Sequence, residues 1–276
     1  MTFRTVMLLE RLRPRRRPYL VLLEFRPAPL RRRSSIAISR RRRWLRAGYQ
    51  RWIIGPVLRS ALERAHTLSS WEVDRNAREF GIARERFTFI PFPLTVAGEQ
   101  LPPREGRGRR VLASGRTLCD WPLVFAAAEG QSWELEIVCD PRDRRFVKQL
   151  NADHRARVWC DIPPEAHQEL LRNAAVYLLP LREGDVSSGH IRVFDATRAG
   201  AALVTSNVRG LTDYVEHGET ALAFPAGDAS AAREAVNRLL GDPALADELR
   251  RGAFKAGQLR TREDYVHRIS QLVHER

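Results

Sequence analysis

Three cysteines are the first residues whose spacing could support chemistry. Cys119, Cys139 and Cys160 stand about twenty residues apart and form no C-x-x-C pair. An odd number of cysteines without a paired motif indicates neither a disulfide framework nor a zinc site. We therefore expect free thiols in a reducing compartment, and we expect no metal ion and no cofactor.

A glycine-rich nucleotide motif is not found where a dinucleotide enzyme would carry it. No predicted strand is followed by G-x-G-x-x-G, and the run GRGRR at 106–110 lies inside a polar linker at 102–110. Helix-turn-helix, RNP and zinc-finger signatures are also missing. Their lack disfavours a nucleic-acid-binding protein, although arginine is abundant.

Positive charge is concentrated at the start of the chain. The chain carries a formal net charge of +14, and residues 1–65 hold 18 Lys and Arg against three Asp and Glu. The rest is nearly neutral, so the basic part predicts one surface that faces an anionic partner. DNA, RNA and anionic lipid all fit. No apolar stretch approaches the ~20 residues that cross a bilayer, so we expect a protein that is soluble or lies on a membrane surface.

The elements that would position a site divide at the linker. Before it, the pattern predicts a strand over 18–25, a kinked basic amphipathic helix over 40–66, a short strand ending near 68–70, a helix over 71–80 and a strand over 86–93. After it, apolar runs alternate with helical stretches, including a short helix near 210–217, and the last segment is mostly helical. Such alternation is typical of a parallel sheet covered by helices on both faces.

The segment 176–228 carries a distinctive ordered series. A strand that ends in proline is followed by a Glu-Gly pair and a glycine-rich helix start, at Pro180, Glu183, Gly184 and Gly189. An acid followed by alanine and then a second glycine come next, at Asp195, Ala196 and Gly200. The series ends with a V-x-x-G-x-T turn at Val215, Gly218 and Thr220. This series resembles the C-terminal domain of GT-B-type glycosyltransferases, in particular the retaining group 4 enzymes of the glycosyl transferases group 1 family. With similar segments at 68–93 and 111–121, the resemblance covers residues 66–240.

The resemblance implies an α/β fold of GT-B architecture, with two Rossmann-like domains built on parallel sheets. We expect residues 1–104 to form a partial N-terminal acceptor-side domain that includes the arginine-rich region. Residues 105–260 would form the domain that binds a nucleotide-sugar donor, and residues 261–276 a C-terminal helix. The N-terminal domain is shorter than the family's, so we expect it to be incomplete.

The resemblance also implies roles for particular residues. A departing diphosphate needs a positive environment, which helix N-termini and a cation supply. The residues expected to bind the donor are Gly115, Arg116, Gly184, Ser187, Ser188, Gly189, His190 and Asp195. Arg116 would supply the cation, and the amides of 187–190 would face the phosphates. Asp195 would accept the ribose hydroxyls, and Glu183 would be the catalytic residue near the anomeric carbon.

Each assignment competes with a plainer interpretation. Glu183 could be a solvated loop acid, and Asp195 could be an acid on a helix surface. Arg116 could pair with Asp120 or face water. His190 could be an ordinary polar residue at a helix start, and the glycines could serve only to shape turns.

Two departures from the family pattern bear on activity. Glu183 and Asp195 lie twelve residues apart, farther than the two acids of the family, and the second acid is the shorter one. The family's diphosphate lysine falls near residues 119–121, none of which is basic. Arg182 or Arg192 would have to substitute for it.

The leading interpretation is a glycosyltransferase that moves a sugar from a nucleotide-sugar donor to a cell-envelope, lipid-linked or glycan acceptor with retention of configuration. The protein would be cytoplasmic, with residues 26–64 docked on the anionic inner face of the membrane. The alternatives are a catalytically weak GT-B-like binding or partner protein and a nucleic-acid-binding α/β protein.

Overall fold

The computed structural model describes residues 20–25, 44–45, 48–94, 100–103 and 106–274. The chain forms two compact units, one made of the residues up to Pro91 and those from Tyr265, the other running from Phe92 to Asp264. The amide of Phe92 already donates to the hydroxyl of Tyr214, over 2.9 Å, inside the second unit. The division therefore comes earlier in the chain than the predicted boundary between residues 104 and 105.

The first unit is built on a small parallel sheet. Its described strands, in the order β1-β2-β3, are β1 Leu20–Leu22, β2 Leu62–Thr67 and β3 Phe87–Phe89. A π-helical turn at Gln50–Ile54 runs into α1, Gly55–Ala61, and the connection from β2 to β3 contains α2, Ser70–Phe80, and a 3-10 turn at Arg84–Arg86. The helix α2 ends at Gly81 in the left-handed conformation, with a φ of +64°, as expected for a C-terminal glycine.

The predicted helix over 40–66 is wrong in its last part. Helix α1 ends at Ala61, and Leu62–Thr67 forms the central strand of the sheet, paired with β1 and β3. Leu62 and Ala65 are fully buried there, and sheet pairing on both sides outweighs the helix preference of the first four residues, Leu, Glu, Arg and Ala. Pro56 lies at the point where the π-helical turn Gln50–Ile54 passes into α1, in the first turn of that helix. Residues 40–43 and 46–47 lie outside the described residues.

The second unit contains a larger parallel sheet, ordered β6-β5-β4-β7-β8-β9. Its strands are β4 Arg110–Gly115, β5 Glu134–Cys139, β6 Ala156–Cys160, β7 Val176–Leu179, β8 Ala202–Asn207 and β9 Leu222–Pro225. Its helices are α3 Trp121–Ala128, α4 Arg144–Leu150, α5 Pro164–Asn173, α6 His190–Ala199, α7 Ala229–Gly241 and α8 Pro243–Gln258. The last helix, α9 Arg262–His274, belongs to the first unit from Tyr265 onward.

Each face of the larger sheet buries its own core. Val124 of α3 and Ile137 of β5 belong to one core, while Leu112 of β4 and Leu171 of α5 belong to the other. Because both faces are covered, the strands are almost continuously apolar. The predicted α/β fold with parallel sheets is confirmed. The helix predicted near 210–217 is only a 3-10 turn at Arg209–Leu211.

None of the helices in the described part of the chain is both long enough and apolar enough to cross a membrane.

Candidate functional site

The order of the larger sheet reverses between β4 and β7. From β4 the chain builds outward through β5 and β6, then returns to the other side of β4 and continues through β7, β8 and β9. Loops that leave neighbouring parallel strands in opposite directions open a crevice at the carboxyl ends of the strands, where α/β proteins bind their ligands. Gly115 ends β4 and Pro180 follows β7, so the predicted donor residues flank this crevice.

Hydrogen bonds join the two loops at the crevice. The amide of Asp120 donates to the carbonyl of Pro180 over 2.8 Å. The hydroxyl of Ser188 donates to the carbonyl of Thr117 over 3.2 Å. The loop after β4 and the loop before α6 therefore form one connected frame, which brings the segments that contain Arg116 and residues 187–190 together.

Glycines allow these loops to approach closely. A Cβ atom on Gly115 would overlap the Sγ atom of buried Cys119. Gly189 precedes α6 with a φ of +98°, and a Cβ atom there would lie 2.6 Å from Cδ1 of Leu181. Gly184 lies in the same loop between β7 and α6. A side chain at position 115 or 189 would push the frame apart.

The amino end of α6 lies at the crevice. The helix begins at His190, after Gly189, and the first amides of a helix have no acceptor within it. Together with the macrodipole they form a site that attracts anions. The imidazole of His190 does not face the crevice freely: it is 2% exposed and stacks on Tyr214 with 5.6 Å between ring centroids. Only its backbone amide is available to the predicted phosphate site.

Arg116 forms a loose, exposed ion pair. Its guanidinium lies 3.7 Å from the carboxylate of Asp161, which follows β6, and the side chains are 61% and 70% exposed. Asp120, the other partner considered, caps α3 by accepting from the amide of Leu123 over 3.4 Å. Exposed ion pairs of this kind contribute little to stability. Arg116 is therefore able to exchange Asp161 for an anionic ligand.

Asp195 is not an acid on a helix surface, because it lies on the buried side of α6 and is 9% exposed. Its carboxylate accepts from Nη1 of Arg192 over 2.8 Å and from Nε2 of Gln168 over 3.2 Å. Burial raises the pKa of Asp195 above its ordinary value, although the positive charge of Arg192 opposes the shift. The acid is held in one orientation near the start of α6.

Glu183 is bound to Arg209 rather than freely solvated. Its carboxylate accepts from Nε of Arg209 over 2.7 Å and from the backbone amide of the same residue over 3.3 Å. The two side chains are 44% and 59% exposed. The contact orients the carboxylate while leaving it accessible to solvent and to a ligand.

A buried polar chain beneath the crevice was not predicted from the sequence. Nε2 of His167, on α5, lies 2.9 Å from Oγ of Ser114. Oγ of Ser114 lies 2.8 Å from the hydroxyl of Tyr177 on β7. Nη1 of Arg192 lies 3.3 Å from Nδ1 of His167. Four side chains from two strands and two helices thus form one connected cluster.

The electrostatics of this cluster keep His167 neutral. Burial, and then the positive charges of Arg192 and Arg116, lower the pKa of His167 to about 4. Two features of the sequence could have identified it. Ser114 is polar in an otherwise apolar strand end, and His167 shares the apolar face of α5 with Leu171, four residues on.

The sequence of the second unit matches a known family model. Residues 117–242 match the family model of Glycosyl transferases group 1. This part of the chain is therefore similar to the group 1 glycosyltransferase domain. This assignment confirms the resemblance noted from the sequence for the domain that contains the crevice. The chain as a whole matches no curated protein sequence.

Solved glycosyltransferases share the fold that carries this domain. A glycosyltransferase from Rickettsia africae ESF-5 has a TM-score of 0.65 and 11% identity, over 83% of this chain and 66% of its own. Anabaena Alr3699/HepE in complex with UDP has a TM-score of 0.63 and 15% identity, over 80% of this chain and 68% of its own. WaaG, a glycosyltransferase involved in lipopolysaccharide biosynthesis, has a TM-score of 0.63 and 14% identity, over 86% of this chain and 69% of its own. The chain therefore spans about two thirds of the length of these proteins.

Two of the three cysteines of the second unit, Cys119 and Cys139, are not reactive thiols. All three are free, and burial raises the pKa of Cys119 and of Cys139 to about 12. Both thiols stay protonated at neutral pH, and a protonated thiol is a weak nucleophile. Within the described ranges, no group of three or more His, Cys, Asp or Glu side chains is placed to hold a metal ion.

Proposed function

We propose that this protein is a glycosyltransferase that moves a sugar from a nucleotide-sugar donor to a cell-envelope, lipid-linked or glycan acceptor with retention of configuration. The observation that carries the proposal is the convergence of Arg116 and the amino end of α6 on one crevice of a group 1 glycosyltransferase domain. The UDP complex of the similar Anabaena protein supports a nucleotide-sugar donor.

The diphosphate of the donor would bind between Arg116 and the amides of residues 187–190. Negative charge grows on the diphosphate as its bond to the sugar breaks. Donors that are already oriented toward that charge lower the barrier, because they need no rearrangement during the reaction. The ion pair of Arg116 with Asp161 is exposed and loose, so a diphosphate can displace the carboxylate.

The remaining polar residues would orient the nucleoside and the sugar. Asp195 accepts ribose hydroxyls with its two carboxylate oxygens, which Arg192 and Gln168 already hold in place. Glu183 contacts the donor sugar near the anomeric carbon, and its contact with Arg209 fixes the direction of the carboxylate. In retaining transfer the acceptor attacks from the face that the diphosphate leaves, so one side of the sugar must stay open.

Calorimetric titration with UDP, GDP and ADP tests the donor site. One of the three should bind, and Arg116→Ala and Asp195→Asn should each weaken binding roughly tenfold or more, since each variant loses a hydrogen bond to a charged group. Arg198→Ala, on the exposed side of α6, serves as the matched control and should bind as the parent does. No binding at millimolar concentration would contradict the proposal, whereas binding without sugar transfer or hydrolysis would indicate the catalytically weak binding protein.

We also propose that residues 26–64 dock on an anionic membrane at its inner face. The structure describes residues 44–45 and 48–64 of this segment, and residues 26–43 and 46–47 lie outside the described residues. Trp44 and Trp52 are 79% and 72% exposed. Leu45 and Ile53 are 57% and 54% exposed. So many large apolar side chains in one short segment need a partner that is itself apolar.

Charge favours lipid as that partner. The sequence of the segment is rich in arginine, and an arginine near an anionic bilayer contributes roughly 1 kcal/mol of attraction. Tryptophan rings suit the headgroup region, and helices with one apolar side and one basic side lie in the plane of the interface. Binding to vesicles with and without anionic lipid tests this proposal, with duplex DNA as the competing anionic partner.

A further inference from the structure

Two arginines of the first unit converge on the carboxyl end of α2. Nη1 of Arg51 donates to the carbonyl of Arg78 over 2.7 Å. Nη1 of Arg59 donates to the carbonyl of Phe80 over 3.1 Å and to that of Gly81 over 3.4 Å. Both arginine side chains are exposed, and they come from different elements, the π-helical turn and α1. Two guanidiniums therefore cover one helix end.

Gly81 gives the two guanidiniums room to approach each other. A Cβ atom at this position would lie 2.9 Å from Nη1 of Arg59 and 3.6 Å from Nη1 of Arg51. The backbone that carries Arg59 is itself held, because Nη1 of Arg86 donates to the carbonyls of Arg59 and Leu62 over 2.8 and 2.7 Å. The fold thus places both cations over the same residue.

The protein does not balance the charge of this pair. The carboxyl end of a helix carries about half a negative charge, which offsets only part of one guanidinium. Asp74 and Glu79, on α2, form ion pairs with other arginines. Among the residues that the structure describes, no carboxylate forms an ion pair with Arg51 or Arg59. Like charges held this close repel one another, and a bound anion would remove the repulsion.

Each guanidinium also keeps donors for a ligand. A guanidinium carries five N–H groups in one plane, and pairs of them match the oxygens of a phosphate. In the described part of the chain, Arg51 and Arg59 each donate to the protein through Nη1 alone. Nε and Nη2 of both exposed side chains are therefore available to an anion that approaches from solvent.

Apolar side chains lie beside the two arginines. Trp52 and Ile53 follow Arg51 in the π-helical turn, and they are 72% and 54% exposed. Cζ of Arg51 lies 6.0 Å from the centroid of the Trp52 ring. A soluble phosphate would leave these side chains in water, whereas a lipid places its phosphate next to acyl chains in which they can be buried. The combination favours a lipid headgroup as the ligand.

We propose that Arg51 and Arg59 bind the phosphomonoester headgroup of a membrane lipid. A phosphomonoester carries a charge of about −1.5 to −2 at pH 7, which matches two guanidiniums better than a singly charged phosphodiester does. The inference rests on the proposed docking of residues 26–64 on an anionic membrane, and it adds selectivity for one class of lipid. It does not depend on the donor site of the second unit.

Vesicle binding at matched surface charge tests this selectivity. One set of vesicles contains phosphatidic acid, which is a phosphomonoester, and the other contains phosphatidylglycerol, a singly charged phosphodiester. Their lipid fractions are adjusted until the electrophoretic mobilities of the vesicles agree. Unspecific attraction depends on the surface potential, so it would give equal binding. We expect the full chain to bind the phosphatidic acid vesicles roughly tenfold more tightly, since hydrogen bonds to a charged group are added.

Single variants assign the preference to the two arginines. Arg51→Gln and Arg59→Gln should each lower the ratio of the two affinities to less than about twofold, because each removes one charge and one set of donors. Arg84→Gln is the matched control. It removes the same charge from the same unit, at a side chain that pairs with Asp74, and should keep the ratio of the parent. An equal loss of preference in the Arg84 variant would overturn the proposal.

A second kind of variant covers the risk that a glutamine variant fails to fold, which a thermal unfolding scan would show. Arg51→Lys combined with Arg59→Lys keeps both charges and a donor for each helix carbonyl, but it loses the planar fork that matches a phosphate. We expect the ratio to fall to less than half of the parent's. A parent-like ratio in this folded variant would overturn the proposal.

Glycerol 3-phosphate distinguishes a lipid from a soluble ligand. It carries the same phosphomonoester without acyl chains, so at millimolar concentration it should leave the binding of phosphatidic acid vesicles nearly unchanged. Displacement of the protein from these vesicles at micromolar concentration would mean that the site takes a soluble phosphate, and it would overturn the assignment to a lipid.

The outcomes separate this inference from the proposed docking. Failure of the parent to bind either set of anionic vesicles would overturn both. Equal binding to the two sets at matched surface charge would overturn this inference alone. A preference for phosphatidic acid that survives in the Arg51 and Arg59 variants would place the selectivity elsewhere in the chain, and would also overturn it.

Discussion

The Sγ atom of Cys119 fills the space that a side chain on Gly115 would need. The backbones of Cys119 and Leu181 form an isolated antiparallel β-bridge, so the turn after β4 packs against the end of β7. The distance between the two loops of the crevice is therefore set by a glycine and a buried thiol. The sulfur acts through its size, because the thiol stays protonated.

Gly115→Ala should destabilise the second unit. The added methyl group overlaps a buried atom, and overpacking of this kind costs roughly 1–3 kcal/mol. We expect the free energy of unfolding in urea to fall by that amount and donor affinity to fall with it. Gly241→Ala is the control, because nothing lies within 4 Å of a Cβ atom there. Equal stability of the two variants would contradict the packing described here.

Glu183→Gln should abolish most turnover and leave stability almost unchanged. The ion pair with Arg209 is exposed, so its loss should cost less than about 1 kcal/mol. A carboxylate near the anomeric carbon stabilises the transition state, and its neutral isostere should lower sugar transfer roughly a hundredfold or more. The measurement is transfer and donor hydrolysis at saturating donor. Parent-like turnover would remove Glu183 from the proposed chemistry.

Alternation of apolar runs was sufficient to predict nearly all elements of the second unit. The strands β4, β7 and β8 are buried on both faces, so they stand out as apolar runs between polar helices, whereas the edge strand β6 is only partly buried. The first unit was harder, because Leu62–Thr67 continues the helical spacing of the preceding residues. Only its two neighbouring strands make it a strand, and such pairing is not visible in a local pattern.

Only part of the candidate site could be predicted, again because a local sequence pattern does not show contacts between distant residues. The ordered motif at 176–228 and the basic residue after β4 led to the predicted site residues Arg116, Glu183 and Asp195, whose roles stay predictions. The cluster beneath them was not predicted, because Ser114 and His167 are 53 residues apart in sequence and meet only through the fold. A polar residue within an apolar strand, and a histidine on the apolar face of a helix, are the local signs of such a contact.

Trp44→Ser with Trp52→Ser should weaken binding to anionic vesicles. Each ring is largely exposed, and burial of a large apolar side chain contributes roughly 1.5–3 kcal/mol. Sedimentation with vesicles at several salt concentrations measures the effect, and salt should weaken the parent's binding because arginines attract the lipid. Trp159→Ser, at an exposed tryptophan of the second unit, is the control. Unchanged vesicle binding by the double variant would contradict the proposal that this segment docks on a membrane.

The neutral state of His167 predicts how stability depends on pH. An unfolded histidine protonates with a pKa near 6.5, whereas the pKa of His167 in the folded chain is about 4. Between these values the unfolded state binds a proton that the folded state does not. The free energy of unfolding should therefore be unaffected by this group above about pH 6.5 and fall as the pH is lowered toward 4, by up to about 3 kcal/mol.

His167→Gln isolates this contribution. His66 in the first unit also has a lowered pKa because of burial, so the parent and the variant share that part of the acid sensitivity. Urea unfolding at pH 7.5 and at pH 4.5 should show a smaller loss of stability in the variant than in the parent, because glutamine does not titrate. Fluorescence from Trp121, which is buried in the second unit, can help follow the transition. Identical losses in both proteins would mean that the pKa of His167 is the same in the folded and the unfolded chain, and would contradict the pKa lowered by burial and by the nearby arginines.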